Sequence, residues 1–153
     1  DWKGSIEFTN KFERKGSISS QRFSIFLLHY GYQNLRRKTM TKILFICLGN
    51  ICRSPMAEFV MKDLVEKAGL ADEFQIDSAA TCRDEIGNPV YPPARRKLAE
   101  HGISCEGHAA RQLTAQDYEE YDLLIGMEGA NLKNMQRICG GDPAGKMHRL
   151  LDY

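Results

Sequence analysis

The chain has 153 residues, enough for one domain with its own core and too few for two independent ones. Its 21 Lys and Arg nearly cancel its 20 Asp and Glu, for a formal net charge of +1, so nothing in the total calls for nucleic acid or an anionic membrane as partner and any affinity for an anion must be local. Five cysteines (Cys47, Cys52, Cys82, Cys105, Cys139) form an odd set without the dense spacing of a secreted disulfide scaffold, which points to free thiols in a reducing compartment and hence to the cytoplasm.

Residues 1–39 are rich in Lys, Arg, Ser, Asn and Gln, carry no sustained period, and end in Arg36-Arg37-Lys38; they read as a poorly ordered N-terminal extension. Within them, Phe23 to Tyr32 is too short to span a bilayer and is followed by no small-residue cleavage pattern, against export. The domain proper is expected over residues 40–153. Lys42 to Cys47 is a near-continuous apolar run, the signature of a strand buried on both faces of a parallel sheet. A helix then starts with Ser54 as N-cap and Pro55 in the first turn; Ala57, Val60, Met61, Leu64, Val65 and Ala68 form its inner face. Glu58/Lys62 and Asp63/Lys67 are i,i+4 pairs outside that face, and Gly69 ends the helix.

Further along, the pattern predicts a strand at Phe74 to Ala79 and a helix from Pro93 to His101 stopped by Gly102. Thr114 caps a short helix before the apolar run Tyr121 to Met127. A helix over Gly129 to Cys139 is closed by Gly140-Gly141, the segment Asp142-Pro143-Ala144-Gly145 turns the chain, and Met147 to Leu151 forms a last short strand. Such alternation specifies an α/β fold: a parallel sheet covered by helices.

Between the first strand and first helix lies Cys47-Leu48-Gly49-Asn50-Ile51-Cys52-Arg53-Ser54. Ligands of open parallel sheets bind at the carboxyl ends of strands, so this loop is on the productive edge. Five residues between Cys47 and Arg53 let the amides of residues 48–53 converge on one anion at a helix N-terminus. Gly49 and Asn50 suit the left-handed backbone such a curl needs. The guanidinium of Arg53 can hold two phosphate oxygens at once. The same field favours the thiolate of Cys47: a free thiol near pKa 8.5 falls to roughly 3.5–7.5 beside a helix N-terminus and a cation. The chemistry implied is attack of Cys47 on a phosphate monoester, a cysteinyl-phosphate intermediate, and hydrolysis to inorganic phosphate, with Arg53 and the amides steadying the equatorial oxygens. A lone cysteine at a strand end is usually a small core residue. The preceding strand, the internal Gly-Asn and the following Ser-Pro are what favour the functional reading. No cofactor or metal is called for.

At these residues the sequence resembles the low-molecular-weight protein tyrosine phosphatases from Met40 onward. Further matching segments are Asp77-Ser78-Ala79-Ala80-Thr81, Pro92-Pro93-Ala94, His101-Gly102-Ile103, Ala110-Arg111-Gln112-Leu113-Thr114, Tyr121-Asp122 and Asn131-Leu132. The resemblance implies a three-layer fold with a four-stranded parallel sheet. It implies Cys47 as nucleophile and Arg53 as phosphate ligand, with Leu48, Gly49, Asn50, Ile51 and Cys52 completing the phosphate loop and Asn50, Ser54 and Ser78 as its polar support. It makes Cys52 a redox partner of Cys47, shielding it through a reversible disulfide. Cys82, Cys105 and Cys139 read as isolated thiols. The partner implied is a phosphotyrosine protein or peptide.

Two departures from the family pattern stand out. The family's general-acid aspartate, in an Asp-Pro pair after the last strand, has no counterpart before Tyr153, nor does its terminal helix; with residues 1–39 this suggests a fragment or misjoined reading frame. Asp142-Pro143 joins a helix to a strand and so falls on the opposite sheet edge, and Asp152 comes too early. Where many members place an aromatic pocket wall, this chain has Arg83-Asp84-Glu85, leaving Tyr91 as a candidate wall. An arsenate reductase on this fold would need two more cysteines within Ala115 to Gly126, which has none. A protein arginine phosphatase would prefer a small polar residue at Ile51. A phosphate-binding module with little turnover is the alternative from another class.

Overall fold

A computed structural model describes residues 40–153. The extension over residues 1–39, including the run Phe23 to Tyr32, lies outside the described residues. Strand β1 (Thr41–Cys47) holds Ile43, Leu44, Phe45 and Ile46 at 0% exposure, because it has a parallel neighbour on each side. Strand β2 (Phe74–Ala80) pairs along its whole length with β1, from Thr41↔Phe74 to Cys47↔Ala80. Strand β3 (Leu123–Gly126) pairs with the other side of β1, and β4 (Met147–Arg149) lies outside β3. The sheet is therefore wholly parallel with order β2-β1-β3-β4. The chain passes from β1 outward to β2 and then returns to the far side of β1. This reversal parts the loops at the carboxyl ends of β1 and β3 and opens a crevice between them.

Helix α1 (Arg53–Lys67) packs on β1 and β2 and touches α2 (Pro92–Glu100). Helix α3 (Ala115–Glu120) contacts α4 (Gly129–Cys139), which packs on β3 and β4. Strand residues alternate between sheet faces. Leu44, Ile46 and Leu124 share one cluster with Tyr118 of α3 and Met135 of α4, which leaves the other face of β1 to α1. The sheet is thus a middle layer between two layers of helices, as expected from the alternation.

Several boundaries follow physical signals in the sequence. Gly69 is left-handed at φ +71°, the Gly69 amide donates to Glu66 and the Leu70 amide to Val65, satisfying the last carbonyls of α1. Gly140 does the same for α4 at φ +80°. Thr114 caps α3 in a reciprocal box with Asp117, whose carboxylate also receives both terminal nitrogens of Arg111 at 3.0 and 2.9 Å. Asp122 fixes the start of β3 by exchanging backbone and side-chain bonds with Lys42.

Four expectations need correction. Helix α1 begins two residues early, at Arg53, with Cys52 at the N-cap and no side-chain cap; Ser54 lies inside the helix, where its hydroxyl serves the neighbouring loop. Glu58 is buried at 6% exposure rather than outward, since one carboxylate oxygen accepts from Ser78 while the other keeps the Lys62 pair at 2.6 Å. Ala68 is exposed and Leu64 only half-buried, because the helix outruns the sheet it covers. Strand β4 stops at Arg149, and Leu150–Asp152 winds into a 3-10 turn closed by an Arg149–Asp152 ion pair at 2.7 Å.

Asp117→Ala removes a helix cap and the partner of Arg111 together. It is expected to lower stability in urea unfolding by about 2–3 kcal/mol, the half-exposed arginine holding the figure below that of a fully buried pair. Asp117→Asn, which keeps an acceptor for the Thr114 amide, should cost less; equal losses for the two variants would contradict this division of roles.

Candidate active site

The loop after β1 leaves the sheet at Cys47, which is buried at 3% exposure. Two hydrogen bonds extend the β1–β2 contact past the strand end: the Thr81 amide donates to Cys47 and the Cys82 amide to Leu48, each at 2.9 Å. The chain then curls back on itself. Asn50 has φ +57°, the single non-glycine residue in the left-handed region among the described residues. Gly49 is not in that region; a Cβ there would stand 3.2 Å from Glu85 Cγ, a close contact that the Glu85 side chain would have to relieve. The curl brings the Asn50 amide to 3.3 Å from Cys47 Sγ, and Ser54 Oγ lies 3.0 Å from the same sulfur.

Asn50 is completely buried, and each polar atom of its side chain is used. Its Nδ2 donates to Ser54 Oγ at 3.0 Å and Ser78 Oγ at 2.7 Å, while Oδ1 accepts the Arg111 amide at 3.1 Å. The Asn50 carbonyl lies 2.8 Å from His108 Nε2. A carbonyl oxygen only accepts, so His108 carries its hydrogen on Nε2. The imidazole is set edge-on against Phe59 of α1 with centroids 6.1 Å apart. The Ile51 carbonyl receives the Tyr91 amide at 2.7 Å, so Tyr91 braces the loop through its backbone. Ser78 passes its own hydrogen on to Glu58.

Arg53, at the first turn of α1, is 9% exposed, and its NH1 donates to Glu128 Oε1 at 2.8 Å. Glu128 stands past the carboxyl end of β3 as the N-cap of α4, its side chain half exposed. Asn131 holds that corner by accepting the amides of Met127 and Glu128, both at 3.1 Å. Gly126 permits the close approach of α4, since a Cβ would meet Asn131 and Met135 at 3.2 Å. The arginine pair thus spans the crevice between β1 and β3.

Of the residues expected from sequence, Cys47, Asn50, Ser54 and Ser78 form one connected network, and Arg53 stands beside it tied to Glu128. Leu48 is exposed and Ile51 and Cys52 are half-buried. Sequence reasoning missed Glu58, His108, Arg111, Glu128 and Asn131. The last three lay within or beside matched segments, but nothing in their spacing says which loop they meet. Asp142 accepts from Tyr118, Lys146 and Met147 at the start of β4, on the edge away from Cys47. Burial pushes the Cys82, Cys105 and Cys139 thiols above the ordinary range, Cys139 to about 11.

The family model described as low molecular weight phosphotyrosine protein phosphatase matches residues 42–153. The low molecular weight protein-tyrosine-phosphatase YfkJ of Bacillus subtilis is 41% identical over 114 residues, covering 74% of this chain and 73% of that protein. The low molecular weight phosphotyrosine protein phosphatase 1 of Drosophila melanogaster is 44% identical over 110 residues, covering 72% and 68%. The crystal structure of the Bacillus protein superposes with a TM-score of 0.74 at 41% identity, over 76% of this chain and 74% of that one. Sequence, topology and the loop at the end of β1 agree, and the chain belongs to the low molecular weight phosphotyrosine protein phosphatase family.

Proposed function

We propose that this chain hydrolyses phosphotyrosine monoesters in proteins or peptides, with Cys47 as nucleophile. The observation that carries the reading is the position of the Cys47 sulfur, which lies inside a backbone curl at a helix N-terminus, within hydrogen-bond reach of an amide and a hydroxyl. In the first step the sulfur attacks phosphorus, the bond to the tyrosine oxygen breaks, and the group departs as a phenolate that takes its proton from water. In the second, water attacks the phosphorus, the S–P bond breaks, and inorganic phosphate is released. The amides of residues 48–53 face the equatorial oxygens. Arg53 has five N–H donors, so with one held by Glu128 a pair remains to meet two phosphate oxygens.

Residues 40–153 form the phosphatase unit in this reading, in line with a compact unit over Met40–Asp152, and residues 1–39 are an appended segment. Cys52 is the redox partner: peroxide oxidises Cys47 to a sulfenic acid, the Cys52 thiol attacks it, and water leaves as the disulfide forms. A cytoplasmic location belongs to the same reading, because five widely spaced cysteines suit a reducing compartment.

Steady-state hydrolysis of aryl phosphates of graded leaving-group acidity tests the reaction. Cys47→Ser should abolish turnover, and Arg53→Lys should lower kcat about 10²–10³-fold by losing the fork that matches the transition state. A chain that binds phosphate but releases no phenol, even from the most acidic leaving group, would be a binding module. Asn50→Gly separates backbone from side chain, since it keeps the left-handed residue and deletes the amide. A fall in kcat/KM of about 10–100-fold is expected, whereas near-parental activity would mean that the loop holds its shape without the amide.

A further inference from the structure

The order β2-β1-β3 sets the segment after β2 directly beside the phosphate loop. At its centre Glu85 rests on that loop, with Cγ 3.2 Å from where a Cβ on Gly49 would stand. Its carboxylate is held in place, because Asn88 Nδ2 donates to Oε2 at 2.7 Å and the Asn88 amide donates to the Glu85 carbonyl at 3.0 Å. Glu85 makes no ion pair among the described residues.

The charged groups around it are committed elsewhere or turned outward. Arg83 Nε donates to Gln112 Oε1 at 2.7 Å, Glu128 is paired with Arg53, and the His108 ring is engaged with the Asn50 carbonyl. Asp84 and Arg83 are both exposed, and their opposite charges offset one another on the same rim, which leaves Glu85 as its net charge. Two large apolar side chains flank Glu85 and face solvent: Leu48 on the phosphate loop at 41% exposure and Ile86 on the adjoining segment at 54%. An apolar rim beside an anion-binding curl suits the ring that carries the phosphate. The Glu85 carboxylate on that rim does not suit the phosphate itself, which it repels. Its effect on binding turns favourable when the substrate brings a cation alongside.

Resting on the phosphotyrosine reading above, we propose that Glu85 is a specificity-determining residue that selects phosphotyrosine segments with a Lys or Arg next to the phosphorylated residue. Acidic segments are disfavoured by the same charge, and the selectivity weakens as salt rises, as for any exposed pair.

The test uses the full 153-residue chain and two peptides that carry a non-hydrolysable phosphonate analogue of phosphotyrosine. The peptides differ only in having Arg or Glu on both sides of it. Binding by fluorescence anisotropy is expected to favour the Arg peptide about fivefold at low ionic strength, in the range of a single exposed charge contact. Glu85→Gln should bring the ratio close to one, and Glu85→Lys should reverse it. A ratio unchanged in Glu85→Gln, or a parent chain that prefers the Glu peptide, overturns the proposal. Because the analogues are not turned over, the ratio is independent of catalysis. Hydrolysis of p-nitrophenyl phosphate, measured in parallel, reports on the phosphatase reading alone.

Discussion

The site depends on one buried amide. Asn50 adopts a left-handed backbone that costs an ordinary residue roughly 1–2 kcal/mol, and without that bend its amide could not turn back toward Cys47 Sγ. The conformation is held by bonds to three separate parts of the fold: Ser54 in α1, Ser78 in β2, and the Arg111 amide in the segment before α3. Each buried hydrogen bond contributes about 1 kcal/mol, so the set offsets the strain. Leaving any partner unmade inside a completely buried site would cost more than the bond itself contributes. The shape of the loop is therefore a property of α1, β2 and the segment before α3 together rather than of the loop residues alone.

The second constraint is topological. Strand β1 lies between β2 and β3, so two adjoining segments frame the loop at its carboxyl end. The segment after β2 brings Glu85 onto Gly49, and the corner after β3 brings Glu128 onto Arg53. The Asn131 side chain and the missing Cβ of Gly126 fix that corner, so the orientation of the guanidinium is tied to the packing of α4 on the sheet. The surroundings of Arg53 are thus set in part by a helix, α4, that contributes no atom to the loop after β1.

Much of this is legible in the sequence where the signal is local. The run from Lys42 to Cys47 has no polar alternation because both faces of β1 are covered, and the C-terminal ends of α1 and α4 are written in left-handed glycines. Ser54 misleads for a physical reason: serine before proline resembles an N-cap, but here its hydroxyl is drawn to the Cys47 sulfur and the Asn50 amide, and the helix starts without a side-chain cap. Glu58 misleads in the same way, since an i,i+4 partner at Lys62 marks a solvent face while its second oxygen accepts from Ser78 on β2. His108, Arg111 and Glu128 act over 58, 61 and 75 residues of chain, and no local pattern carries that information. The departure at Arg83-Asp84-Glu85 is visible in the sequence, but its bearing on the loop becomes apparent only once Glu85 is seen against Gly49.

The central claim is that the curl around Asn50 makes the Cys47 sulfur the atom that receives the phosphoryl group. Rapid quenching of the chain during turnover of an aryl phosphate, followed by peptide mapping by mass spectrometry, addresses it directly. The account predicts one phosphoryl group on the peptide that spans Cys47, absent when Cys47 is replaced. Phenol release with no modified peptide, or with the phosphoryl group on another residue, would contradict it.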